Sequence, residues 1–225
     1  MDRFFNSDNR VMRILSKIFD LAWLSIIYIV FCIPVVTFGA ATTSLYYVSA
    51  KVIRHDRSYV WREFWHCFKT NFVQSTLVWV IFAVLYTLMI FNIRMVGLTD
   101  SASNYGGYMS GAYIAITLVA FCIMCYIFAV ISRFTMKIGG LFKFSMFLAF
   151  RHFLHTLILL AIWGGAIFLL VVGVTFGVPY MMFLVPGICG LLYTFPVEHL
   201  FKKYMPKADP VITDEGDEIV EWYNE

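Results

Sequence analysis

The chain has 225 residues, of which 61% are hydrophobic and only 14% charged, with a net charge of +3. Soluble domains are nearer ~45–50% apolar and ~25% charged, so a water-soluble globule of this length is excluded, and so is disorder over most of the chain. Composition instead predicts a polytopic membrane protein.

The five cysteines, Cys32, Cys67, Cys122, Cys125 and Cys189, lie scattered through apolar stretches and read as small buried hydrophobes, not a disulfide framework. The N-terminus is polar through Asn9 and its first apolar run is too long for a cleavable signal, so none is expected. Seven of the 14 acidic residues fall in 208–225, where there is no Lys or Arg. The chain therefore divides into an integral membrane domain, 1–205, and an acidic cytoplasmic tail, 206–225. A basic body facing lipid headgroups is the expected partner surface, and nucleic acid is disfavoured because no basic stripe lies outside the membrane edges.

In chain order, the first apolar run extends from Lys17 to Lys51 with Asp20 as its one charge, and it is interrupted by Pro34 and Gly39. Uncharged runs then cover 70–93, 101–132 and 156–197, the last with Gly177-Val178-Pro179 near its middle. A crossing takes ~20 helical residues, which places helices near 72–93, 108–132, 155–176 and 179–198. The fold class is all-α: a transmembrane helix bundle of about six membrane segments.

The first two of those segments share 18–50. As helix these 33 residues measure ~50 Å, or ~25 Å per arm, a little short of two crossings. The alternatives are a short transmembrane hairpin turning near Pro34–Gly39, a re-entrant hairpin buried in protein, or a single kinked crossing.

Between the spans, Trp61, Phe64, Trp65, Phe68 and Phe72 recur at i, i+3, i+4, i+7 and i+11, with Arg62, His66 and Lys69 opposite. This periodicity predicts a separate amphipathic helix over 57–72, lying at the inner membrane face with Trp61, Phe64, Trp65 and Phe68 as interfacial anchors. Residues 141–152 repeat the pattern less cleanly. At an offset of 81 the two stretches align weakly, Asn71 with His152, Phe72 with Phe153 and Ser75 with Thr156, which suggests a parallel duplication.

Chemistry-bearing groups are sparse. No Asp, Glu, Lys, Arg or His lies centrally in the four later spans, which disfavours a proton-driven pump or voltage sensor. His152 and His155 share a helix face but have no carboxylate or cysteine to complete a metal set, and are read as headgroup-level hydrogen bonders. Cys122 and Cys125 lack a redox context. No GxSxG elbow or P-loop appears, so neither an enzyme nor a cofactor is expected.

The segment with most character is Pro34 to Tyr47. Pro34 removes a donor and Gly39 permits an unusual turn. Thr37, Thr42, Thr43 and Ser44 supply hydroxyls for backbone groups freed at the break, and Ala40, Ala41 and Ser44 permit close helix approach. The segment reads either as a hydroxyl-capped turn or as a neutral polar pocket for an uncharged ligand such as a sugar.

At these residues the chain resembles a known family. The string CIPVVTFGAATTSLYYVSAKVIR (32–54) followed by FWHCFKTNFVQS (64–75) is similar to the YesL-like bacterial membrane proteins, a domain of unknown function, in its Pro-Val-Val-Thr-x-Gly, Ala-Thr-Thr and Lys-x-Asn-Phe-x-Gln elements. The resemblance implies a cell-membrane protein, mainly of Gram-positive bacteria, encoded beside genes for polysaccharide breakdown and sugar uptake. It supplies no catalytic residue. The expectation is a non-enzymatic protein assisting or regulating uptake of a neutral solute such as a polysaccharide-derived sugar, with an ABC-type sugar transporter or a second copy as partner. The alternative is a membrane scaffold or sensor that binds protein or lipid and moves nothing.

Basic residues fix the expected orientation. Sixteen of the 17 Lys and Arg fall in four clusters, 3–17, 51–69, 133–151 and 202–207, leaving Arg94 alone. Placing all four clusters inside puts both termini in the cytoplasm. Single cysteines at Ser58 and Lys207 should therefore resist an impermeant thiol reagent in intact cells, and one at Ser103 should react; labelling at Ser58 with none at Ser103 reverses the topology.

Overall fold

The computed structural model describes residues 10–54, 59–99, 104–134, 136–176, 180–204, 211–212 and 218–219. The chain is an α-helical bundle: α1 (Arg10–Cys32), a 3-10 turn (Val35–Thr37), α2 (Phe38–Val48) continuing as a π-helical stretch (Ser49–Arg54), α3 (Val60–Thr99), α4 (Asn104–Arg133), α5 (Ile138–Arg151), α6 (Phe153–Thr175) and α7 (Tyr180–Tyr204). In the acidic segment Val211–Ile212 (β1) and Glu218–Ile219 (β2) pair antiparallel, Val211 opposite Ile219. The rest of the tail expected over 206–225 lies outside the described residues.

Among the described residues five helices, α1, α3, α4, α6 and α7, are long and apolar enough to cross a membrane. Their outward faces are as apolar as a core: Val73, Leu154, Phe168 and Val174 are all at least 66% exposed. Water does not tolerate such a surface, whereas hydrocarbon does. This is a membrane protein. The expected sixth segment is α2, and it has a different character. Its 11 residues reach only ~16 Å, and all of Gly39–Tyr46 is buried among α1, α3, α4 and α7.

The turn between α1 and α2 occupies 33–37, ahead of Gly39, which is helical. Thr37 Oγ1 lies 2.5 Å from the Phe31 carbonyl oxygen and 2.7 Å from that of Pro34, which share its one proton, and Trp79 Nε1 donates to the Val35 carbonyl at 2.8 Å. The role of Gly39 is close approach: a Cβ there would stand 2.5 Å from the Ser75 carbonyl oxygen and 2.8 Å from Trp79 Cβ. Antiparallel contacts follow along α3, from Val35 at Trp79 through Gly39 and Thr43 at Ser75 to Lys51 at Glu63. The hairpin tip therefore reaches only Trp79, halfway along the 40-residue α3.

The separate interfacial helix expected over 57–72 is absent. Residues 60–72 are the first third of α3, which runs unbroken through 40 residues, ~60 Å. The polar stretch Lys69-Thr70-Asn71 contains no helix breaker, and Thr70 and Asn71 bond back to the carbonyls of His66 and Cys67. The apolar stripe is also divided. Phe64 and Phe68 are buried, with rings 5.4 and 4.9 Å from that of Phe31, while Trp61 and Trp65 stack on each other outside.

The aligned stretch at 141–153 does break. His152 leaves helical geometry (φ −116°, ψ 56°) and separates α5 from α6, and Thr156 Oγ1 takes up the Ala149 carbonyl at 3.0 Å. The two halves of the expected duplication thus differ in backbone. α5 is amphipathic, burying Leu141, Ser145, Leu148 and Ala149.

A second close approach joins the ends of the chain. Gly187 of α7 lies against α1, where a Cβ would stand 2.5 Å from the Leu21 carbonyl oxygen, and its amide donates to Ser25 Oγ at 2.8 Å. Because backbone and not a flexible side chain faces Gly39, Gly39→Ala should push α2 and α3 apart and lower stability by about 1–3 kcal/mol. Gly107, with nothing within 4 Å, is the control. Gly107→Ala should be neutral or slightly stabilising. Thermal unfolding in detergent distinguishes the two.

Candidate functional site

Two features stand out in the interior. The first is a buried polar link. Arg133, the last residue of α4, forms an ion pair with Glu198 of α7, the two side chains being 2% and 3% exposed. Tyr46 of α2 donates its hydroxyl to Glu198 Oε1 at 2.7 Å. The sequence places Arg133 in a cytoplasmic basic cluster and Glu198 at a span boundary; the fold withdraws both and ties α2, α4 and α7 together through them. A buried carboxylate and guanidinium tolerate this only as a pair, since either alone is an uncompensated charge.

The second feature is a cavity of about 470 Å³. Tyr28 and Cys32 of α1, Phe38, Thr42, Leu45 and Tyr46 of α2, and Trp79 and Tyr86 of α3 form one part of its wall. Phe121, Met124, Cys125 and Phe128 of α4, Trp163, Ile167 and Leu170 of α6, and Pro186, Cys189, Gly190 and Tyr193 of α7 form the rest. None of these residues is charged. The size is that of a small-molecule site. Rigid ring pairs set its shape: Phe38 against Trp79 with centroids 4.6 Å apart, and Tyr46 edge-on to Tyr193 at 5.5 Å.

The segment singled out by sequence lies beside this cavity but does not line it with hydroxyls. Pro34 and Thr37 belong to the turn. Thr43 Oγ1 bonds to the Gly39 carbonyl and to Ser75 Oγ, both at 3.0 Å, and Ser44 Oγ to the Ala40 carbonyl at 2.9 Å. Among Thr37, Thr42, Thr43 and Ser44, Thr42 alone reaches the wall, and its Oγ1 donates to the Phe38 carbonyl at 2.8 Å with Tyr28 OH 3.4 Å away. A neutral polar pocket built from Thr37, Thr42, Thr43 and Ser44 is therefore not formed. In an apolar helix a hydroxyl finds its own i−4 carbonyl first.

The predicted anchors diverge. Trp61 and Trp65 are outward, with Lys69 Nζ 4.9 Å from the Trp65 ring centroid, while Phe64 and Phe68 serve the core. Beside them Lys51 pairs with Glu63 at 2.8 Å. Burial works against the Lys51 charge, but hydrogen bonds to Glu63 and Tyr47 outweigh it and raise the lysine above its ordinary pKa.

The histidines gather into a group that spacing alone did not indicate. His152 bonds Tyr204 OH at 2.9 Å, and His155 lies between the rings of His152 (5.7 Å) and His199 (6.0 Å). Burial first, and then the charges of His155, Lys203 and Arg151, hold the His152 imidazole below its ordinary pKa. Among the described residues no group of His, Cys, Asp and Glu is arranged to hold a metal ion.

Residues 21–93 match a family described as a protein of unknown function, DUF624. The match runs from the middle of α1 through the turn and α2 to the apolar part of α3, which is the hairpin together with the helix it packs on. No curated protein and no solved structure matches the chain.

Removing one partner of the buried ion pair should be costly. Glu198→Leu is expected to destabilise the protein by about 3–5 kcal/mol, and Arg133→Met/Glu198→Leu to recover most of the loss. Thermal melts of the single and double variants in detergent test this; additive losses would mean that the two side chains do not act as a pair.

Proposed function

We propose that this chain is a non-enzymatic protein of the bacterial cell membrane that holds a lipid-like, mainly hydrocarbon ligand in the cavity between α1, α2, α3, α4, α6 and α7, acting as a scaffold or sensor. The observation that carries this reading is the lining: aromatic rings, aliphatic chains and sulfur atoms with no charged residue. A lipid chain exchanges one apolar surrounding for another on entering such a site, and rigid aromatic walls favour it through packing. A sugar would lose its hydrogen bonds to water there, and the hydroxyls of Thr37, Thr43 and Ser44 are already engaged with backbone and with Ser75.

This reading changes what the YesL-like resemblance means. A link to carbohydrate uptake would be indirect, with the protein regulating or supporting an ABC-type sugar transporter, or pairing with a second copy, instead of carrying the sugar. Orientation follows the basic clusters, with both termini cytoplasmic. The α1–α2 hairpin then enters from the cytoplasmic side and returns, its tip halfway along α3. Its buried backbone suits a re-entrant element, which hydrocarbon tolerates only when enclosed by protein.

Lipid analysis of purified protein tests the proposal. Mass spectrometry of the wild type under mild detergent should release a bound lipid in near-stoichiometric amount, and Met124→Trp, which fills the cavity from α4, should lose it while staying folded. Recovery of an oligosaccharide, or equal lipid content in the two proteins, refutes the reading.

A further inference from the structure

Among the described residues, one side chain of the cavity wall carries a fully buried polar atom without a hydrogen-bond partner. Among the polar atoms of the cavity wall, Tyr46 OH donates to Glu198 (2.7 Å), Thr42 Oγ1 to the Phe38 carbonyl (2.8 Å) and Trp79 Nε1 to the Val35 carbonyl (2.8 Å). Tyr86 differs. Its hydroxyl is buried and has no hydrogen-bond partner, although the residue lines the cavity. Its ring stacks on Phe82 at 6.2 Å, and Phe82 in turn on Phe142 at 5.6 Å, so the phenol is fixed from behind by apolar rings.

We infer that the ligand presents a neutral hydrogen-bond acceptor, the carbonyl of an acyl ester, to the Tyr86 hydroxyl within an otherwise hydrocarbon body. This deepens the lipid-site reading and rests on it. Three observations select the chemistry. An unpaired buried donor bears the full penalty of its lost hydration, so an acceptor on the ligand is favoured over plain hydrocarbon. The phenol presents one O–H, which matches one carbonyl oxygen and not the several hydroxyls of a sugar. Among the described residues no lysine, arginine or histidine lines the cavity, so a carboxylate or phosphate there would be an uncompensated charge. Tyr86 stands seven residues beyond Trp79 on α3, ~10 Å deeper than the hairpin tip.

Brominated lipids that quench tryptophan provide the test, since Trp79 and Trp163 both line the cavity. The probes are methyl dibromostearate and dibromooctadecane, matched in their hydrocarbon and differing in the ester, titrated into full-length protein in detergent. The wild type should bind the ester roughly tenfold more tightly than the hydrocarbon. Tyr86→Phe should abolish that preference and leave the hydrocarbon affinity unchanged, which also shows that the variant is folded. Equal binding of both probes by the wild type, or an ester preference that survives in Tyr86→Phe, overturns the inference while leaving the cavity as a lipid site. If neither probe quenches, or if quenching is as large in Trp79→Phe/Trp163→Phe as in the wild type, the lipid-site reading itself fails.

Discussion

Hydrocarbon offers no partner to a backbone N–H or C=O, and that constraint governs the centre of this protein. Where α1 stops at Cys32 the helical ladder ends, and the carbonyls at the turn are taken up by the 3-10 amides of Thr37 and Phe38, on Pro34 and Val35, and by the side chains of Thr37 and Trp79. The helix that follows is too short to cross a bilayer, so α1, α3, α4 and α7 enclose it. Close packing is possible because Gly39 brings bare backbone to the interface with α3, and because Thr42, Thr43 and Ser44 turn their hydroxyls back onto the carbonyls of Phe38, Gly39 and Ala40. The hydroxyl-rich composition is thus an internal solution to helix packing.

Enclosing α2 has two further results. Its Tyr46 meets the Arg133–Glu198 pair, so that one polar contact fixes α2 to the ends of α4 and α7 on the side where the basic clusters lie. Its other face, with Phe38, Thr42 and Leu45, meets rings from α3, α4, α6 and α7, and these bulky groups leave a space between them instead of interdigitating. The same buried helix therefore both anchors the bundle and shapes the cavity. The family match over 21–93 covers α2 with most of α3 and the second half of α1, and stops short of α4, α6 and α7, which complete the wall.

Much of the architecture was legible along the chain. Four of the long helices begin or end within a few residues of where the uncharged runs place them, apart from the N-terminal extension of α3. That extension was hidden because an amphipathic stripe followed by a polar patch has the same appearance whether or not the helix bends. Lys69-Thr70-Asn71 looks like a boundary, yet nothing there prevents helix from continuing. At His152 the backbone does break, with no proline or glycine to announce it; Thr156, the first residue of the next uncharged run, donates to the freed Ala149 carbonyl. The histidine group had half of its signal in the spacing of His152 and His155, but His199 lies on another helix and joins them only through folding.

Sequence by itself determined that this is a helical membrane protein, because apolar runs of fixed length can be satisfied in no other way, and it marked Pro34–Ser44 as the irregular element. Tertiary structure decided what that element does. Whether a threonine hydroxyl faces a ligand or its own helix depends on which neighbours surround it, and whether Arg133 and Glu198 are surface charges or a buried pair depends on how α4 and α7 approach. Tyr86 is one aromatic residue among many in the sequence. Only the packing of six helices leaves its hydroxyl buried beside an apolar space, with no partner of its own.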